Sequence, residues 1–364
     1  MHGASAFDYR CMARALQLAR RGLSSPHPNP RVGCVIARQG TIVGSGWHQR
    51  AGAAHAEVNA LAEAGAAAAG GTAYVTLEPC SHHGLTPPCT EALIGAGIAR
   101  VVGALEDPNP EVRGSGFEQL RQAGVTVQVG LMAEQAEGLN SGFLMRMREG
   151  RPWVRVKLAQ STDGHTALAS GASTWISGED ARADVQRWRA KADAIMTGVG
   201  TALADNPSLN VRIDDADRQP LRVIVDSRWR MPPEARLLQL AGDVLIAGDQ
   251  AAAIPPALAA AGAECLGLPL TGGRVDLDAL LQALGRRGIN EVQVEAGAIL
   301  CGSLLEARLV DELLIYQAPL LMGGDASSSF ASPRLDTMQD CIHLKCLDAR
   351  FVGADLRLRF KPVY

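Results

Sequence analysis

The amino-acid sequence predicts an α/β protein of two domains. Three observations carry that expectation. A chain of 364 residues is long for one domain and comfortable for two. Short β-branched runs alternate with helical stretches through both halves, the pattern of a layered α/β architecture. Gly150-Arg151-Pro152 breaks that pattern, which then restarts. The predicted domains are therefore 1–149 and 150–364. Hydrophobic residues make up 47% of the chain, enough to supply two cores.

In the first half, Asp8 to Arg21 reads as an amphipathic helix with Met12, Ala15, Leu16 and Ala19 on one face. Pro26, Pro28 and Pro30 break the chain into a loop. Residues 32–37 and 41–44 form a hairpin around Gln39-Gly40. His55 to Ala69 is Ala-rich and helical, with His55 and Glu57 in its first turn. Residues 72–77 are a strand that runs directly into Cys80. Thr90 to Ala96 is a helix that starts beside Cys89. Strands at 101–105 and 125–129 flank a helix at 117–123.

The second half reads as strand 153–159, helix 178–190, strands 193–198, 221–226 and 243–247, helix 276–286, strand 291–295, helix 298–307 and strand 311–317. Two more strands fill 343–361. Ser177-Gly-Glu-Asp180 resembles a capping box for the first of these helices. The Ala-rich run 251–263 reads as a surface segment.

Bulk composition narrows the function. Net charge is −3 and aromatic residues are 4%. A protein gripping phosphate backbones usually carries a basic excess, and one binding single strands needs stacking platforms. A small-molecule substrate is therefore expected, and no nucleic acid. No stretch approaches eighteen apolar residues, so no membrane span is expected. The start carries no signal-peptide pattern. Eight scattered cysteines do not resemble a disulfide scaffold. A cytoplasmic location, with thiols kept as ligands, is the expectation.

The chemistry is concentrated in two short segments. Residues 55–57 read His-Ala-Glu, and residues 78–89 carry Glu-Pro-Cys at one end and Pro-Pro-Cys at the other. One imidazole and two thiolates make a three-ligand zinc set with an open position. His-x-Glu followed by Pro-Cys and a second Cys is the signature of zinc nucleobase deaminases. His55, Cys80 and Cys89 are the expected Zn²⁺ ligands. Bound Zn²⁺ brings the pKa of water to about 7. Glu57 is placed to take up that proton, deliver it to the ring nitrogen and help ammonia leave. On a helix, residues 55 and 57 diverge by about 200°, which separates ligand from proton carrier. A structural zinc loop is the competing reading. The usual signature spacing is Cys-x-x-Cys; here eight residues intervene, including His82 and His83, which touch substrate or sit on an exposed loop. The other six cysteines have no partner at ligand spacing and read as buried thiols.

These residues resemble those of a known family, the bifunctional deaminase–reductases of riboflavin biosynthesis. The runs His27–Val35, His48–Ala60, Thr76–Cys89, Lys157–Gly164, Leu203–Arg212 and Val294–Gly297 carry the resemblance, which extends essentially end to end. It implies a cytidine-deaminase-like three-layer domain followed by a dihydrofolate-reductase-like domain. It further implies deamination of 2,5-diamino-6-ribosylamino-4(3H)-pyrimidinone 5′-phosphate, then reduction of the ribosyl group to ribityl by NADPH. Cofactor contacts fall by this resemblance on Ala159, Trp175, Thr201, Asp205, Ser227 and the turn Gly297, Ala298, Ile299, Leu300, Cys301, Gly302, Ser303. Substrate contacts fall on Ser173, Arg189, Leu209, Arg212 and Glu295. A homo-oligomer is expected.

The residues alone say less about the second half. No Gly-x-Gly-x-x-Gly opens a helix after a strand, so a Rossmann phosphate turn is not supported. Glu295-Ala-Gly297 ends a strand and leads into a helix whose N-terminus suits pyrophosphate, or is a plain turn. Arg189 late in a helix and Arg212 on a strand either converge on a phosphate or are solvated. Trp175 is a cofactor contact or a core aromatic. Lys157 either polarises the ribose carbonyl or snorkels from a strand. Arg228, beside Ser227 at a strand end, is placed to meet the 2′-phosphate of NADPH.

Overall fold

The structure is a computed structural model that describes residues 3–22, 27–82, 87–110, 112–214, 218–331 and 336–364. Pro26 and His83 lie outside the described residues. By its internal contacts the chain divides into Met1–Gly150 and Arg151–Tyr364.

The first unit runs α1 (Ala6–Ala19), β1 (Gly33–Arg38), β2 (Thr41–Trp47), α2 (Ala56–Ala64), β3 (Thr72–Val75), α3 (Cys89–Gly95), β4 (Arg100–Gly103), α4 (Ser115–Gln122), β5 (Thr126–Val129), α5 (Ala133–Leu139) and α6 (Ser141–Glu149). Its sheet has the order β2-β1-β3-β4-β5. The β1–β2 hairpin turns at Gln39 and Gly40, both at positive φ, as a tight two-residue turn requires. Alternation along β1 makes the layers. Cys34 and Ile36 pack with Ala56, Ala60 and Leu93 on one face. Val35 and Ala37 pack with Met12, Leu16, Leu139 and Leu144 on the other. Helices α5 and α6 are not among the elements expected from the sequence, which places none between residues 129 and 150.

The second unit runs β6 (Trp153–Ser161), β7 (His165–Ala167), α7 (Glu179–Lys191), β8 (Ala194–Gly198), α8 (Val199–Asp205), β9 (Leu221–Val225), β10 (Val244–Asp249), α9 (Pro256–Ala260), β11 (Glu264–Leu268), β12 (Leu270–Thr271), β13 (Arg274–Val275), α10 (Leu277–Arg286), β14 (Glu291–Val294), α11 (Ala298–Glu306), β15 (Glu312–Ala318), β16 (Ser327–Ser328), β17 (His343–Val352) and β18 (Asp355–Val363). The main sheet has the order β11-β10-β9-β8-β14-β6-β15-β18-β17. It is parallel up to β15; β18 and β17 add antiparallel at the end. Val154, Val156, Met196 and Val292 pack against α10 and α11 on one face. Trp188 of α7 packs with Leu314 and Tyr316 on the other.

Three expectations change. Of the six cysteines expected as buried thiols, Cys346 is exposed and Cys265 and Cys341 are half-buried. The Ser177 capping box does not form: Gly178 is the N-cap of α7, without a side-chain cap, and its N–H is taken by Asp355 Oδ2 at 2.7 Å. Arg212 is in a loop, not a strand. Side chains rather than a neighbouring strand satisfy that backbone. Gln219 bonds both Val211 N and O, and Gln186 accepts from Arg212 N.

Candidate active sites

The metal site begins with the packing of α2 on β2. A Cβ on Gly44 would lie 2.2 Å from Ala60 O, and one on Gly46 would lie 2.5 Å from Ala56 O. Glycine on the strand and alanine on the helix let the two backbones meet. That contact sets the start of α2 at the end of the sheet. Asn59 fastens the preceding loop by donating to Trp47 O and Ala54 O at 3.0 and 3.2 Å.

His55 is the N-cap of α2, with φ −71 and ψ 165, and not part of its first turn. The helical-wheel divergence of His55 and Glu57 therefore does not apply. His55 stands in extended backbone ahead of the helix, and Glu57 lies within its first turn. His55 Nδ1 lies 3.2 Å from Cys89 Sγ and 3.5 Å from Cys80 Sγ. All three ligand atoms fall within 4.8 Å of one another. Tetrahedral ligands at zinc bond lengths sit about 3.3–3.8 Å apart, so these donors fit one Zn²⁺. The electrostatics agree. Cys80 is held down to about 4 by its hydrogen bond with Cys89, against burial and with help from His55. The same bond, with burial, pushes Cys89 well up. Two sulfurs compete for one proton, a conflict that a shared dication removes. Burial raises Glu57 to about 7, with His55 opposing. The carboxyl is only 3% exposed.

Cys80 is placed by a residue the sequence reading left without a role. Glu78 is buried and accepts four backbone N–H groups: Asp107 and Gly114 at 3.0 Å, Gly116 at 2.8 Å and Phe117 at 3.1 Å. It ties the 107–117 segment to the cysteine strand end. Gly116 is needed there, because a Cβ would stand 2.0 Å from Pro79 O. Two more polar groups adjoin the ligands. His48 crosses the His55 ring edge-on at 5.1 Å and meets Asn29 Nδ2 at 3.1 Å. Their motif was visible in sequence; their meeting across a 19-residue separation was not. His82 is exposed.

The second site is a cleft of about 2500 Å³. It opens where β6, β8, β9 and β14 end, the usual ligand position for a parallel sheet. Ala159, Ser173, Trp175, Arg189, Thr201, Asp205, Leu209, Arg212, Ser227 and Glu295 all line it. So do Gly297, Ala298, Ile299, Leu300 and Ser303. Cys301 and Gly302 do not. Cys301 is fully buried in the core, its thiol on Ala296 O, and a Cβ on Gly302 would meet Ala331 O at 2.4 Å. A helix can turn only part of its surface to one ligand, and these two residues occupy the inward side.

Gly297 caps α11 in extended backbone, φ −74, and donates to Thr201 Oγ1 at 3.0 Å. Trp175 is 73% exposed with the Arg182 guanidinium 4.8 Å over its ring; it is no core aromatic. Lys157 lines the cleft, and burial lowers its pKa although Glu295 opposes. Arg228 is exposed on the same wall. Across it, Ser227 Oγ accepts Val275 N at 3.0 Å and Arg274 donates to Ser303 Oγ at 3.3 Å.

Arg189 and Glu295 are partners. Nε and Nη2 of Arg189 reach the two carboxylate oxygens at 2.7 and 2.8 Å, and Nη1 reaches Asn210 O at 3.0 Å. Gln293 adds a third donor to Glu295 at 2.8 Å. Burial alone would raise Glu295; Arg189, joined by Lys157 and Gln293, outweighs it and holds the carboxyl at about 2. Three of the five guanidinium N–H groups of Arg189 are thereby occupied, and two are left for a ligand in the cleft that Arg212 also lines.

A mononuclear His-Cys-Cys site with a buried carboxyl defines a zinc-dependent hydrolytic deaminase, joined to a second unit with a ligand cleft at the ends of parallel strands. Comparison with known proteins agrees unit by unit. Residues 5–105 match the cytidine and deoxycytidylate deaminase zinc-binding region, and 152–358 match the RibD C-terminal domain. The riboflavin biosynthesis protein RibD of Escherichia coli (strain K12) is 49% identical, with 96% of this chain and 98% of that protein covered. The Haemophilus influenzae protein is 45% identical over 98% of each. The solved structure of Acinetobacter baumannii RibD, form 2, has a TM-score of 0.90 at 43% identity, covering 98% of this chain and 99% of that one. A Thermotoga maritima structure described as a diaminohydroxyphosphoribosylaminopyrimidine deaminase/5-amino-6-(5-phosphoribosylamino)uracil reductase has a TM-score of 0.87 at 31% identity, with 98% and 99% covered. The chain belongs to the RibD family of bifunctional riboflavin-biosynthesis enzymes. Its deaminase half is cytidine-deaminase-like and zinc-dependent, and its second half is a RibD-type, NADPH-dependent reductase.

Proposed function

We propose that this chain deaminates 2,5-diamino-6-ribosylamino-4(3H)-pyrimidinone 5′-phosphate at C2 and then reduces the opened ribosyl group of the product to ribityl. The observation that carries the first step is the convergence of His55, Cys80 and Cys89 beside the buried carboxyl of Glu57. When bound there, Zn²⁺ supplies the Lewis acidity that activates water near neutral pH. Glu57 moves the protons: burial that raises its pKa to about 7 suits it to accept and return one at working pH. Water adds, ammonia leaves, and a carbonyl replaces the amine.

For the second step the cleft would hold NADPH, which would supply the hydride. The N-terminus of α11 would hold its pyrophosphate, with N–H groups free of helix partners. The exposed faces of Trp175 and Ile299, 73% and 60% accessible, contact its rings. Ala159, Thr201, Asp205, Ser227, Ala298, Leu300 and Ser303 complete its walls, and Arg228 meets the 2′-phosphate. Cys301 and Gly302 serve only as backbone that sets the helix. Glu295, ionised by Arg189, accepts from the sugar hydroxyls, and Ser173, Arg189, Leu209 and Arg212 hold the rest of the substrate. The proton that balances the hydride comes from solvent or from Lys157, whose lowered pKa eases its release.

Among the described residues no helix is long and apolar enough to cross a membrane; a cytoplasmic location is part of this reading and fits a site built on reduced thiols. Homo-oligomerisation is also part of it. Edge strand β17 leaves Leu344, Leu347 and Phe351 exposed at 43%, 42% and 76%, a surface suited to a second copy.

The test is a two-stage incubation with the diaminopyrimidinone phosphate. One ammonia is released before NADPH is added, and NADPH absorbance then falls stoichiometrically. NADPH oxidation without prior ammonia release overturns the order of steps.

A further inference from the structure

The cleft carries more positive charge than its described partners neutralise. Arg189 is matched by Glu295. Among the described residues the Arg212 guanidinium has only the neutral Asn210 Oδ1, at 2.8 Å. Arg236 lines the same cleft, is exposed, and has no carboxylate within ion-pair distance among the described residues.

The backbone of Arg236 is held firmly at this place. It opens a short 3₁₀ turn, Arg236–Leu238. Its N–H donates to Asn206 Oδ1 at 2.8 Å, and Asn206 is the left-handed residue (φ 40) that ends α8. The next residue, Leu237, is fully buried. Its carbonyl, with those of Leu240, Ala241 and Gly242, is taken by the buried guanidinium of Arg222. Four carbonyls on one arginine fix the segment that presents Arg236. The loop that carries Arg212 leaves the same α8 end, so one turn positions both cations.

We propose that Arg236 is a further substrate-binding residue, which closes with Arg212 on the 5′-phosphate and so selects phosphorylated over unphosphorylated pyrimidines. A phosphate monoester carries about −1.5 to −2 charge at pH 7; the two arginines unmatched by a carboxylate supply two positive charges. Burial first, then the charges of Arg189 and Arg236, lower the pKa of Arg212. Glu295 opposes that repulsion only in part, and an anion placed between the guanidinium groups would add to its effect. Pyrophosphate of the dinucleotide has its own place at α11, which leaves this cluster to the substrate. The inference rests on the reductase reading above.

The experiment compares wild type with Arg236→Met, which keeps the aliphatic stem, and Arg236→Lys. Reduction is measured on the deaminated substrate with and without its phosphate, and NADPH affinity by fluorescence. Calorimetry of ribose 5-phosphate and of inorganic phosphate on the NADPH-free protein gives a readout independent of turnover. A charge-assisted hydrogen bond is worth about tenfold to a hundredfold in affinity. Arg236→Met is expected to lose that much for the phosphorylated substrate, through KM and not kcat. The unphosphorylated substrate, NADPH affinity and melting temperature stay as in wild type, ribose 5-phosphate binding weakens by the same factor, and Arg236→Lys recovers part. Equal loss on both substrates, or weakened NADPH binding with substrate KM intact, overturns the proposal, as does no change at all. Should wild type fail to reduce the ribosyl substrate, the reductase reading falls, while the ribose 5-phosphate titration still decides for or against Arg236.

Discussion

Replacing Glu295 by glutamine tests the electrostatic floor of the reductase cleft. The carboxyl sits at about 2 in the fold against an ordinary 4.5. At about 1.36 kcal/mol per pH unit that difference is about 3 kcal/mol of stability. The same figure follows from the geometry, since removing one member of a buried pair costs about 3–5 kcal/mol and glutamine retains one acceptor. A folded-state pKa below the unfolded value stabilises above the unfolded value and loses that contribution as pH falls through the folded one. The advantage of wild type over Glu295→Gln is therefore full at pH 7, down to about half at pH 3, and gone below about pH 2. For a unit of this size about 3 kcal/mol lowers Tm by about 6–12 °C. Calorimetry of both proteins between pH 7 and pH 3 measures it, with zinc content and deamination at pH 7 as controls on the other unit. A deficit independent of pH, or none at pH 7, refutes the argument that Arg189 and Glu295 form a stabilising charged pair.

The remaining expectations concern both sites. Glu57→Ala retains zinc, loses about 10²-fold or more in deamination, and leaves reduction of supplied deaminated substrate intact; equal loss of both activities contradicts separate sites. Cys80→Ser lowers bound zinc by metal analysis and abolishes deamination alone. Gly116→Ala forces a Cβ against Pro79 O; it is expected to destabilise the first unit by about 1–3 kcal/mol and to weaken zinc retention against a chelator. Arg228→Ala lowers kcat/KM for NADPH more than for NADH, and an unchanged ratio removes Arg228 from the 2′-phosphate.

The two sites differ in how far they could be read from sequence, and the reason is physical. Zinc dictates ligand atoms, and two of the three lie at the ends of one loop, so His55, Cys80, Cys89 and Glu57 were legible from residue type and spacing. What was not legible was the backbone at His55. An Ala-rich run looks helical throughout, yet the fold uses its first residue as an extended N-cap. Glu78 went without a role because its partners lie 29 to 39 residues away, and a carboxylate inside a metal motif attracts a chemical reading before a structural one. The parallel strands of the reductase were legible as apolar runs, but the loop bearing Arg212 is held by the side chains of Gln186 and Gln219, which leave no periodic trace. The Arg189–Glu295 pair spans 106 residues and exists only because α7 packs across the end of β14. The composition of a motif can thus declare which atoms a metal meets, whereas charge balance in a cleft built from many elements is a property of topology. Arg236, invisible in any motif, belongs to that second kind.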